Sequence, residues 1–331
     1  MGSEHTVRGG LYGRDTTALP DAPPRAISEH SLDFSRLDMA CPIDAADISN
    51  RWLKAYVPDP SHKAKQYSGP ITAFIYRMLK SFAAAVVRGE GAPSFVHPLM
   101  AWPPSPTTHL STCMSLVRIF DRAGPGTEHL SSILLGEMTR VYDEHQNLEP
   151  HAIVAAYQAY SIYTLVLFFY VSEVHENLPT AMLNLQELAS ASAAVGVTCR
   201  AEGQRERPRW EEWIVAESQR RTLYAMYMFD SVLTARDGVP TFISTELHGL
   251  PAAGPSNLWR ATSRQEWQTD YNQYLARWPD GILRLDELWP MPAEFDDEVI
   301  RKRRGRVDRW LINLDEYGIM LYTVTSCTHG T

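Results

Sequence analysis

The densest grouping of chemically capable side chains is Glu217, Arg220 and Arg221. Spacings of three and four put all three on one face of a helix, where a carboxylate and two guanidiniums can meet. Such a set either pairs internally or presents two cations to an anionic ligand or a partner's carboxylate. The flanking residues separate the two readings. Trp213, Ala216, Tyr224, Tyr227 and Val232 carry an apolar face through both ends of the cluster. Arginines enclosed in this way are expected to be buried and paired, because an uncompensated buried charge is costly. The specific expectation is Glu217 paired with Arg221, and Arg220 stacked near Tyr224.

Two further groupings have chemical reach. Asp143-Glu144-His145 with His151, and with Glu173 and His175 nearby in sequence, contains metal-ligand residue types. Ligands on one helical face need spacings of three or four, which His145 and His151 lack, so the expectation is no metal site and helix-end residues facing solvent. Arg301-Lys302-Arg303-Arg304-Gly305-Arg306 holds five positive charges in six positions. It reads either as a nuclear-import or phosphate-binding run, or as a solvated loop set against Asp296-Asp297-Glu298. There is no GxSxG elbow, GxGxxG fingerprint, phosphate-binding P-loop or HExxH helix, so no catalytic residue and no cofactor is assigned.

The elements that must position these residues are helical. Helical signals begin over 42–56, and a clear helix is opened by Pro70 and closed by Gly89. The proline-rich stretch 91–106 must be a loop, pinned by Phe95 and Trp102. Helical periodicity returns over 107–121 and 128–145, with a turn at 123–126 between them. The segment 152–172 has no charged residue. It is long enough to span a bilayer, but tyrosines at 157, 160 and 163 suit a buried central helix better. A helix is expected from Leu178-Pro179 to about Val195, ending at Gly196. A polar, arginine-rich loop over 200–209 then leads into the helix 210–230. Ser263 starts another, with Glu266 at the capping-box position. After a loop-rich stretch, a last helix is expected over 306–324. The expected fold is therefore all-α: an irregular multi-helix domain over 42–331 with a long apolar central helix, behind a flexible polar leader over 1–41.

Composition narrows function. A net charge of −8 over 331 residues argues against broad nucleic-acid binding. Cys41, Cys113, Cys199 and Cys327 include no closely spaced pair, which excludes a zinc finger, ribbon or binuclear zinc cluster built from them. Sparse thiols fit a reducing compartment. No secretory signal is visible.

Several blocks, in a fixed order, resemble the middle homology region of fungal zinc binuclear-cluster transcription factors. They are Ser94-Phe95-Val96-His97-Pro98; the stretch 110–120 with Glu137-Met138-Thr139-Arg140; Tyr157-Gln158-Ala159-Tyr160-Ser161-Ile162-Tyr163; and Trp210-Glu211-Glu212-Trp213 with Glu217-Ser218-Gln219-Arg220-Arg221-Thr222. Leu250-Pro251-Ala252 with Leu258-Trp259-Arg260-Ala261 and Trp267 follow, then Arg309-Trp310-Leu311 with Asp315-Glu316-Tyr317-Gly318. The likeness covers roughly 42–325. It implies an all-α regulatory domain that binds effectors or partners and supports dimerisation. The family's clustered cysteines have no counterpart here. The resemblance thus implies a nuclear transcription regulator, without direct DNA contact through a zinc cluster, that tunes a fungal secondary-metabolite gene cluster. It would act through a zinc-cluster partner, self-association or a small-molecule effector. Cytoplasmic residence is the alternative location. No membrane association is expected. The alternative function is an enzyme or small-molecule-binding protein on the same scaffold, and a third reading places a zinc cluster in sequence upstream of Met1.

Overall fold

A computed structural model describes residues 2, 32–54, 57, 64–65, 67–101, 108–122, 128–171 and 174–329. The fold is all-α. Helix accounts for 69% and strand for 4%, and the described residues form fourteen α-helices. The only strand pairings among them are two-residue pairs, Met39–Ala40 with Thr198–Cys199 and Ala64–Lys65 with Thr241–Phe242.

At the centre lies the helix Pro150–Tyr170, and every residue over 153–167 is buried. It packs on the helices Val174–Val195, His109–Leu116, Glu128–Glu144, Gly69–Val87 and Trp210–Arg236. Neighbours on all sides explain why its sequence has no polar face. Several of its polar side chains bond inside the protein: Ser161 and Thr164 donate to carbonyls four residues back, and Gln158 donates to Phe95 O and Thr222 Oγ1, whereas Gln158 Oε1 and the Tyr163 hydroxyl are buried without a hydrogen-bond partner among the described residues. By length and composition this helix and Gly69–Val87 could each cross a membrane. The first, however, spends its apolar surface inside the protein, and the second carries exposed Arg77 and Lys80 near its middle.

The local signals act largely as expected. Pro70 lies in the first turn of Gly69–Val87, and Ile71, Ile75, Leu79, Phe82 and Val86 fall on its buried face. Thr108 and Ser111 cap His109–Leu116 reciprocally. Ser263 accepts from the Glu266 N–H to start Arg264–Arg277, but the Glu266 carboxylate turns back to Thr262, so the box is open on one side. Phe95 is fully buried, as the pinning of its loop requires, and that stretch also holds the short helix Pro98–Ala101. Trp102, the turn 123–126, Glu173 and the leader residues 1 and 3–31 lie outside the described residues.

Several boundaries differ from expectation. The helix before Gly196 starts at Val174, with Pro179 inside it. A proline there costs one backbone hydrogen bond, to residue 175, which the first turns tolerate. The arginine-rich loop begins with the helix Arg200–Gly203, directly after the strand Thr198–Cys199. The compact unit begins at Asp33 rather than 42, because Met39–Ala40 is paired with Thr198–Cys199. That pairing depends on Gly196: its φ is 138°, and a Cβ there would lie 2.3 Å from the Met39 Cβ. Finally, the expected last helix is two, Asp297–Leu311 and Glu316–His329. Asp296 caps the first by accepting the Glu298 and Val299 N–H groups. The acidic triplet is thus a helix start, and the basic run lies on a helix rather than in a loop.

Candidate functional site: a buried charged junction

The helix Trp210–Arg236 runs six residues beyond its expected end and is buried at every position over 210–234. Glu217 and Arg221 have no exposed side-chain surface, and Trp213, Arg220 and Tyr224 are also buried. Glu217 grips both arginines: Arg221 Nε donates to Oε1 at 2.7 Å, and Arg220 Nη2 to Oε2 at 2.8 Å. Arg221 Nη1 donates to Asp315 Oδ2 at 2.6 Å and to Ser94 O, while Nη2 donates to Gly254 O. Arg220 Nη1 donates to Val197 O at 2.9 Å and reaches Glu202 at 3.5 Å. Three carboxylates therefore meet two guanidiniums. Burial pushes the Glu217 carboxyl up, but Arg221 and Arg220 outweigh it and hold the group below the usual range. Burial lowers the Arg221 guanidinium, and Glu217 and Asp315 more than reverse that. The expected Glu217–Arg221 pair is present. The stacked arginine is Arg221 instead of Arg220: its guanidinium lies 3.9 Å from the Trp259 ring centre and 5.1 Å from that of Tyr317. Arg220 has its donors turned to Glu217, Val197 and Glu202, and the Tyr224 hydroxyl donates to Pro251 O.

Five of the six blocks close onto this junction, and the one over 110–120 and 137–140 packs on the central helix instead. Thr222 Oγ1 and Gln158 Nε2 both donate to Phe95 O. His97 sits edge-on to Trp259, with ring centres 4.7 Å apart. Trp213 packs against Trp259 and Trp267. Gly254 N–H donates to Glu217 Oε1 at 2.7 Å, and a Cβ on Gly254 would lie 2.9 Å from the Trp213 ring. Trp310 Nε1 donates to Ala253 O, and the Tyr317 hydroxyl donates to Arg221 O. At the helix start, Trp210 is buried, and Arg264 clamps Glu211 at 2.6 Å and 3.0 Å.

A second buried network escaped sequence reading. Arg51 donates to Asp230, Glu246 and Phe242 O, and Tyr227 donates to Glu246. Its partners are 179 to 195 residues from Arg51, and no local pattern marks such a set.

The basic run divides by helical face. Arg303 donates to the carbonyls of Glu287, Asp286 and Trp289, and Arg306 grips Glu287 and the carbonyls of Gly281 and Ile282. Arg301, Lys302 and Arg304 are exposed, with Lys302 3.7 Å from Asp280. Two of its five cations are thus tied into the fold. Among the described residues no three His, Cys, Asp or Glu side chains are placed to hold a metal ion. Glu144 pairs with Arg140 and faces His109. His145, expected in solvent, is buried with Nδ1 against Tyr142 O, because its ring packs on that of Tyr142.

Among the described residues, three clefts bear on the site. One of about 60 Å³ is lined by Tyr67, Tyr224, Tyr227 and Trp289. A second, of about 260 Å³, lies beside Trp278 and Trp310. The third, of about 340 Å³, is lined by Glu202, Arg205, Asp280, Arg284 and Arg306 with backbone of Gly249 and Gly281, and is larger than the other two. Comparison with protein-family models, with curated proteins and with solved structures finds no match.

Proposed function

We propose that this protein is a transcription regulator of the kind formed by the middle homology region of fungal zinc-cluster factors, working through a protein partner or a small-molecule effector. One observation carries the reading. Five of the six sequence blocks behind the resemblance, spread from Ser94 to Tyr317, close onto one charged junction around Arg221. A helical scaffold held this way offers clefts and surfaces for binding. The proposal includes a nuclear location and control of a secondary-metabolite gene cluster.

The test is imaging of the tagged chain together with transcript profiling after deletion of its gene. Nuclear accumulation with coordinated loss of clustered transcripts supports the reading. Steady nuclear exclusion with an unchanged transcript profile overturns it.

A further inference from the structure

We propose that the 340 Å³ cleft beside Glu202 binds a small organic anion through Arg205 and Arg284. The inference rests on the effector half of the proposed function and names the chemistry of the effector: a carboxylate or a phosphate ester.

The charges lining the cleft are not equivalent. Glu202 is committed inward, accepting from Cys199 N–H and Tyr271 and facing Arg220. Arg306 is neutralised by Glu287 at 2.6 Å, and Asp280 faces Lys302. Arg205 and Arg284 have no carboxylate partner among the described residues. Each anchors one nitrogen on a carbonyl: Arg205 Nη1 on Pro279 O and Arg284 Nη1 on Gly249 O, both at 2.8 Å. The remaining guanidinium donors of two exposed arginines are left for a ligand, and planar forks of this kind match carboxylate and phosphate oxygens. The net charge offered to the cleft is positive, although the chain as a whole is acidic.

The backbone adds a second observation. Arg205 is the one non-glycine residue with positive φ among the described residues, at 60°. It follows the helix Arg200–Gly203 at a position where its own N–H returns to Glu202 O and that of Glu206 to Ala201 O. Glycine fits this helix-end geometry without strain. An arginine held there against its backbone preference points to a task for its side chain. Gly249 and Gly281, both at positive φ, line the same cleft and let a ligand come close to backbone. Through Glu202 the cleft wall joins Arg220, so an anion bound beside it would act on the buried junction directly.

The experiment is calorimetric titration of the full chain with citrate and, separately, with inorganic phosphate, at constant ionic strength set by chloride. The expected result is saturable binding of at least one, weakened tenfold or more in Arg205→Gly and in Arg284→Ala. Arg205→Gly relieves the backbone, so its melting temperature should match or exceed the parent's; if Arg284→Ala unfolds, Arg205→Gly alone decides. Binding of citrate alone or of phosphate alone supports the inference and selects the ligand class. No saturable binding of either anion, or equal affinity in parent and variant, overturns it. Titration reads binding only. Nuclear exclusion with an unchanged transcript profile would overturn the regulatory reading and leave this inference standing, and absence of binding would leave regulation through a protein partner standing.

Discussion

Acidification should weaken this fold through one side chain, His97. The ring is buried, its Nδ1 accepts the Leu99 N–H at 3.2 Å, and it lies edge-on to Trp259. Burial, and then the Arg221 charge, lower its pKa from the ordinary 6.5 to about 3. The folded protein therefore keeps His97 neutral at pH values where the unfolded chain takes up a proton. The stabilisation is fully present above about pH 6.5 and is lost as pH falls towards 3. Each pH unit in that window costs about 1.4 kcal/mol, so the loss between pH 7 and pH 5 is about 2 kcal/mol. Urea unfolding followed by tryptophan fluorescence at pH 7, 6 and 5 would measure it. Other groups titrate too, so the comparison is with His97→Gln, whose side-chain carbonyl can accept the Leu99 N–H without titrating. The parent should lose about 2 kcal/mol more than the variant over this range. Parallel losses in the two proteins would refute the assignment of a neutral, buried His97.

Three further outcomes follow from the junction and the basic helix. Arg221→Leu leaves Asp315 without its guanidinium and Glu217 with Arg220 alone, and should lower unfolding free energy by about 3–5 kcal/mol in denaturant titration. Gly254→Ala puts a methyl group 2.9 Å from the Trp213 ring, and should lower stability by about 1–3 kcal/mol and change tryptophan emission. On the helix Asp297–Leu311, Arg306→Ala should cost about 1–3 kcal/mol by leaving Glu287 unpaired, whereas exposed Arg304→Ala should leave the thermal midpoint nearly unchanged.

Pattern and punctuation disclosed the fold where they act locally. The central helix was legible because an uncharged run with interspersed tyrosines suits an all-round protein environment. Gly89 and Gly196 marked helix ends because their φ values of 72° and 138° exclude most other residues. The last two helices were not separable in this way. Their starts rest on Asp296 and Asp315 as acceptors of helix N–H groups, and in the sequence Asp296 merges into an acidic triplet while Asp315 has no distinguishing neighbour but Glu316. The junction was half legible. Glu217 and Arg221 are one helical turn apart, so their pairing shows in spacing alone. Asp315 and Trp259 reach Arg221 from distant segments, which is why the stacking was expected on the neighbouring arginine and ring. Arg205 and Arg284 carried no sequence signal, since only the folded backbone brings them to one cleft.

The partners of Arg221 also set an order of events in folding. Glu217 is four residues away and available as soon as the helix turns, but Asp315 is separated by 94 residues. A growing chain therefore presents the Trp210–Arg236 helix to its surroundings with this cation only half compensated until Asp315 has been synthesised. Contacts this distant in sequence close late, because loop closure must precede their reward. The junction thus ties the core helix to the start of the last described helix, Glu316–His329, across 94 residues of chain.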